Sequence, residues 1–179
     1  MGASQATKKK ILVTGDMKSI QDLRQEVSIL RAQDKFQEAV HACDAFIRAD
    51  DSCFAAYAER ARLNYSLARY QEAFEDVKKQ MELRPESPSP YYTRARWSLA
   101  LGDEKLAAAD AGFIIASGDE YFLSSAYFIR ALANCYLGKK VEAMADCLRV
   151  PMGFDMGVET KSLGWRVMSR EELLALIGR

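Results

Sequence analysis

Histidine is nearly missing from this sequence. His41 is the single one in 179 residues, and no Cys or Asp constellation accompanies it on its helical stretch. A lone helical histidine is a structural or exposed residue, not half of an acid–base pair. Cysteine is sparse too. Cys43, Cys53, Cys135 and Cys147 are widely spaced and contain no C-x-x-C pair, which gives neither a zinc knuckle nor a redox motif. They read as small buried thiols in a reducing compartment. Net charge is absent, with 25 basic residues against 25 acidic ones. A general role on nucleic acid or acidic membranes gains nothing from that balance, and the Lys8, Lys9, Lys10 cluster reads as a solvated terminus. No apolar run approaches the roughly 20 residues of a membrane helix. "KKKILVTGD" has too short an apolar run for a signal-peptide core, and Ala6 stands where a myristoylation motif wants Ser or Thr. "ILVTGD" lacks the glycine series of a nucleotide loop, and Glu171-Glu172 reads as helix-start charge. The expectation is a cytoplasmic protein that is not an enzyme, with no catalytic residue, metal, cofactor, nucleic acid or membrane insertion.

What the chain does have is a repeat. Its apolar share of 49% and charged share of 28% are ordinary for a globular chain with room for one sizeable core. "YAERARLNYSLARYQEAFEDV" starts at Tyr57, "YYTRARWSLALGDEKLAAADA" at Tyr91 and "YFIRALANCYLGKKVEAMADC" at Tyr127. Tyr57 to Tyr91 spans 34 residues (91 − 57), as do Arg60 to Arg94, Ala61 to Ala95 and Asp76 to Asp110. Ala39, Ala73 and Ala107 keep that step, and Ala143 follows after 36 (143 − 107). The two extra residues fall in "ASGDEYFLSS". A degenerate first copy has Leu23 at the Tyr place and Val27 at the Ala place. Four copies result, at 20–53, 54–87, 88–123 and 124–150, between an extension at 1–19 that is partly disordered or helical and a tail at 151–179.

Each copy reads as two helices. Tyr57, Ala61 and Asn64 share one stripe, and Tyr70, Ala73, Val77 and Met81 share another, at helical separations of three and four. Pro85 closes the second helix, and Pro88 and Pro90 occupy the next connection. Gly102 and Gly138 sit at inter-helix turns that want positive φ. Ala61, Ala73, Ala95, Ala107, Ala131 and Ala143 let paired helices approach closely, so a larger side chain there would cost about 1–3 kcal/mol.

This pattern of aromatic, small residue, turn glycine, second aromatic, alanine and closing proline resembles the tetratricopeptide repeat. "LGD" at 101–103 and "ELRPES" at 82–87 are similar to that family's turn and closing segments. The first copy lacks the Arg, Gly and Pro. In the fourth, Lys140 replaces the second-helix aromatic and Pro151 arrives early. The resemblance covers roughly residues 20–150 and implies an all-α, right-handed α-solenoid of about four helix-turn-helix repeats with a C-terminal capping helix. It further implies a concave surface lined by the stripe one, five, eight and nine residues after each Tyr. That stripe includes Arg24 and Arg31, Arg62 and Tyr65, Tyr92 and Arg96, Phe128 and Tyr136, with Ser28, Ala58, Leu99, Leu132 and Cys135 between them. The groove would be basic in its first half and aromatic or aliphatic in its last. It would take a protein segment with carboxylates and an apolar anchor. The other reading is a solvated groove whose arginines pair with acids such as Glu59. The family's two-carboxylate clamp for chaperone tails would fall on Arg24, Ser28, Glu59, Pro90 and Arg94, where only Arg94 fits in kind.

Two further expectations come from the residues themselves. Arg60, Arg94 and Arg130 occur in the copies that carry Asp76, Asp110 and Asp146, while the first copy has Glu26 and Ala42 at those places, which points to an Arg–Asp bridge between paired helices. The stretch 151–168 reads as a loop with apolar residues to bury, among them Phe154, Met156 and Trp165. "SREELLALIG" then reads as a helix started by a Ser169/Glu172 capping box. This helix would cap the last repeat. Alternatively the tail enters the groove or joins a second subunit. The leading functional expectation is a non-enzymatic protein-binding adaptor or scaffold. The alternatives are a dedicated chaperone or immunity-type antagonist of one cognate protein, and a structural homo-oligomer built through the C-terminal region.

Overall fold

The computed structural model describes residues 11–13 and 16–179. Residues 1–10, with the Lys8, Lys9, Lys10 cluster and Ala6, lie outside the described residues. The chain divides into two compact units, Met1–Pro85 and Glu86–Arg179.

In the N-terminal unit, β1 (Ile11–Val13) and β2 (Asp16–Lys18) form an antiparallel ribbon with Leu12 opposite Met17. Within the extension at 1–19, expected to be partly disordered or helical, residues 11–13 and 16–18 are strand instead. The run Ile-Leu-Val is too short to pay the nucleation cost of a helix and favours a pleated backbone. Two helical hairpins follow, α1 (Ile20–Ala32) with α2 (Phe36–Ala49) and α3 (Phe54–Ser66) with α4 (Tyr70–Leu83). Ser19 starts α1 through a capping box with Asp22, whose carboxylate accepts from the Ser19 backbone N–H at 2.7 Å. Leu23, Val27, Ala39, Cys43, Ala56 and Leu63 form the core here, each 2% exposed or less.

The C-terminal unit contains α5 (Pro88–Leu101), α6 (Glu104–Ser117), α7 (Glu120–Tyr136) and α8 (Lys140–Cys147). Pro88 stands at the first position of α5, where its missing N–H has no helical partner to lose. All six alanines expected at close helix contacts are buried. One residue in each of the four hairpin turns has positive φ: Asp34 (57°), Ala68 (57°), Gly102 (82°) and Gly138 (73°). The first two copies thus reach the left-handed region without glycine.

After α8 the chain forms β3 (Asp155–Thr160) and β4 (Gly164–Ser169), antiparallel with Met156 opposite Met168, and then α9 (Arg170–Ile177). The loop expected at 151–168 is therefore a β-hairpin. Its alternation, with Met156, Val158 and Thr160 inward, is a two-residue period that the many glycines disguise. The capping box of Ser169 and Glu172 starts α9 as expected. α9 packs on α7 and α8, and β3 packs on α5. Met156, Val158, Met168, Leu173 and Ile177 join Phe128, Ile129, Leu132 and Cys147 in one core.

Candidate protein-binding faces

The three arginines at the Tyr-x-x-Arg places are built alike. Arg60 donates from Nε and Nη2 to Asp76 at 3.0 and 2.6 Å. Arg94 does the same to Asp110, both at 2.7 Å, and Arg130 to Asp146, both at 2.7 Å. Each fork joins the two helices of one hairpin. Each guanidinium also lies over the Tyr one helical turn earlier, at 5.6 Å for Tyr57, 6.0 Å for Tyr91 and 5.9 Å for Tyr127. The hydrogen bonds to Asp76 hold Arg60 firmly in its charged form, and burial raises the Asp76 carboxyl against the opposing pull of Arg60.

Arg60 has a further partner that the sequence reading missed. Its Nη1 donates to Asp44 on α2 at 2.7 Å, which ties the second hairpin to the first. The signal was available, because Asp44 stands as far before Arg60 as Asp76 stands after it. Beside Arg130 the place corresponding to Asp44 belongs to Gly112, whose open side lies 3.7 Å from the Arg130 Nη1. Asn64 and Asn134 are buried beside these forks; Ser98 stands at the same place in the third copy, its Oγ buried with no hydrogen-bond partner among the described residues.

Behind the Arg60 fork, burial pushes the Cys43 thiol up to about 12, with the Glu59 carboxylate acting in the same direction. Cys43 is 0% exposed. Because the folded value is raised, its contribution to stability is complete below the unfolded value near 9 and is lost as pH rises toward 12. The unfolding free energy from urea titrations should therefore fall between about pH 8.5 and about pH 11 by up to roughly 1.4 kcal/mol per pH unit. Cys43→Ala should show a shallower fall. In the native protein near neutral pH, iodoacetamide should leave Cys43 unmodified, as peptide mapping would show.

The eight residues expected on a concave face divide between the two units. Arg24, Arg31, Arg62 and Tyr65 belong to the N-terminal unit, on α1 and α3. The side chains of Arg24 and Arg62 are 48% and 50% exposed and share one carboxylate, Glu59, at 3.6 and 2.8 Å. Arg31 is exposed, and the Tyr65 ring leans on Tyr70 with centroids 5.2 Å apart. Two arginines around one acid leave this face with an excess of positive charge.

The C-terminal set is placed differently. β3 lies on the face of α5 that carries Tyr92 and Arg96, and Arg96 Nη2 donates to the Gly157 carbonyl at 3.3 Å. Tyr92 packs against Phe122 at 4.8 Å. Phe128 is 0% exposed and its ring is 6.0 Å from that of Phe154. The Tyr136 hydroxyl meets Thr160 Oγ1 at 3.3 Å and accepts from Ser162 at 3.2 Å. The structure thus gives Phe128 to the core, as a correction to its expected place in an open groove, because the chain's own hairpin covers it. His41 is exposed and contacts Gln37 at 2.8 Å. Among the described residues no group of three His, Cys, Asp or Glu could hold a metal ion, and no helix is long and apolar enough to cross a membrane.

No model of a known protein family matches the chain, and no curated protein matches it by sequence. Solved structures do match. The chain is similar to YrrB, "a TPR protein with an unusual peptide-binding site", with a TM-score of 0.60 and 17% identity over 74% of this chain and 67% of that one. It is also similar to a tetratricopeptide repeat protein from Parabacteroides merdae ATCC 43184, with a TM-score of 0.51 and 18% identity over 89% of this chain and 84% of the other. A third likeness is to PilW, a widely conserved type IV pilus biogenesis factor, with a TM-score of 0.63 and 14% identity; there the match covers 73% of this chain and 60% of PilW. The chain has the tetratricopeptide-repeat fold.

Within this tetratricopeptide fold, the chaperone-tail clamp finds no footing. Glu59 places a carboxylate between Arg24 and Arg62, and Arg94, the one clamp place that fits in kind, is engaged by Asp110.

Proposed function

We propose that this chain is a non-enzymatic protein-binding module whose N-terminal unit takes an acidic, extended segment on the face carrying Arg24, Arg31, Arg62 and Tyr65. The observation that carries the reading comes from the other unit. There the corresponding first-helix face already holds an extended segment, and Arg96 donates to its main-chain carbonyl at Gly157. Arg62 stands one 34-residue period before Arg96 (96 − 62), so it offers the same kind of donor on α3, where among the described residues it donates to Glu59. Glu59 holds both arginines in position, and a ligand carboxylate would gain the bidentate geometry that a single shared acid cannot provide to both. Tyr65 supplies apolar area at low entropic cost. A reducing cytoplasmic setting suits the four free thiols.

The test is affinity capture with wild type and with Arg24→Glu/Arg62→Glu, the fold of each checked by circular dichroism. The charge reversal should abolish recovery of the partner, while Glu59→Gln, which releases both arginines, should keep or strengthen it. Equal recovery by the double variant overturns the assignment of this face.

A further inference from the structure

The outer side of the β3–β4 hairpin is a separate surface. Alternation along the strands turns Met156, Val158, Thr160 and Met168 into the unit, none more than 8% exposed. Asp155, Gly157, Glu159, Trp165 and Val167 form the opposite side, where Trp165 is 67% and Val167 52% exposed. The indole lies across Gly157, its ring atoms 3.6 to 3.8 Å from where a Cβ would stand. A residue with a longer side chain at 157 would lift the ring off the strand.

Register fixes what lies beside the indole. The Arg170 N–H donates to the Phe154 carbonyl at 2.9 Å, so Phe154/Arg170, Met156/Met168 and Val158/Arg166 are the hydrogen-bonded pairs. Glu159/Trp165 and Gly157/Val167 are then the other kind, with the closest side chains and with main-chain groups directed away from the partner strand. The sheet has two strands. On β4 those groups, at Trp165 and Val167, therefore face an edge without a strand.

Charge points to the occupant. Asp155 and Glu159 are exposed, and among the described residues neither forms an ion pair. Arg166 is engaged by Glu172 at 2.6 Å, and Arg96 reaches Gly157 from the far edge, on the β3 side. Among the described residues the surface presents two carboxylates without an ion pair, an open indole and a strand edge with no neighbouring strand, where the Val167 carbonyl meets the Arg166 Nε at 3.5 Å.

We infer that this surface binds an extended basic segment of a partner protein, which adds as a third strand along β4 and lays a Lys or Arg side chain on Trp165 with Glu159 as its counter-ion. Indole is the strongest of the aromatic rings for a cation. Strand addition supplies main-chain hydrogen bonds, and the alternate side chains supply selectivity. A residue two places along the added strand meets Val167 and is apolar. The edge is not the arginine-bearing face of the N-terminal unit, so the two surfaces select segments of opposite charge.

The probe is a synthetic peptide, Lys-Thr-Val-Thr-Lys-Thr with blocked ends, titrated into the full 15N-labelled chain while the Trp165 indole N–H is followed by NMR. Its glutamate counterpart, Glu-Thr-Val-Thr-Glu-Thr, is the control. The lysine peptide should move the Trp165 resonance saturably, and Glu159→Lys and Trp165→Ala should each weaken its binding by about tenfold or more. Both positions are exposed, and unchanged thermal unfolding of each variant keeps a loss of binding from being a loss of fold. Equal binding by Glu159→Lys, equal binding of the glutamate peptide, or no shift at millimolar lysine peptide overturns the proposal. So does a Trp165 shift that follows protein concentration alone with dimer formation in sedimentation, since a second copy would then be the occupant.

Discussion

Arg94→Met is expected to destabilise the C-terminal unit by about 3–5 kcal/mol. The loss of an ion pair is the smaller part of that figure. The Asp110 side chain is 4% exposed, while Arg94 is 23% exposed, so the substitution strands a carboxylate where water cannot reach it. Removing both charges in Arg94→Met/Asp110→Leu should recover most of the loss, because two apolar side chains of similar volume satisfy the site without desolvating an ion. Trp97 and Trp165 both belong to this unit, so tryptophan fluorescence in urea follows its unfolding separately. A double-mutant cycle that closes additively would show that the fork contributes nothing beyond its two side chains.

Phe128→Ala should cost about 3–5 kcal/mol in the same unit. As a ligand anchor in an open groove, Phe128 would be half exposed, and its truncation would shift stability by less than about 0.5 kcal/mol. Its complete burial beside Phe154, Ile129 and Leu132 makes it a core residue. The cavity left by its ring would be lined by segments from both the helical repeats and the hairpin, which limits collapse. A thermal midpoint unchanged by the substitution would contradict the seating of the hairpin on α7.

The helices, their pairing and the Arg–Asp forks were legible because a 34-residue period repeats the same chemistry three times. Tyr57, Tyr91 and Tyr127 head the stripes, and each Arg is three places on, at a fixed distance from its acid. The β-hairpin was not legible for a matching reason. It occurs once, and Gly153, Gly157 and Gly164 dilute the alternation of Met156, Val158 and Thr160. The face carrying Phe128 was misplaced for the same cause, since the stripe gives the side that a residue is on and not what covers that side. Asp44 was not legible because its partner Arg60 lies in the following copy, and the pattern inside one copy stops at that border.

The seating of β3, β4 and α9 in the core of the C-terminal unit has a consequence for how the protein is made. Among the described residues, Ile20 to Leu83 contain the apolar cluster of the N-terminal unit, so that cluster can close before the second unit has been synthesised. The other closes later, because Phe128 and Leu132 wait for Val158, Met168 and Ile177. During vectorial synthesis the α5–α8 hairpins spend the time of some thirty codons (177 − 147 = 30) with that greasy side uncovered, and that interval is when the nascent chain depends most on chaperones.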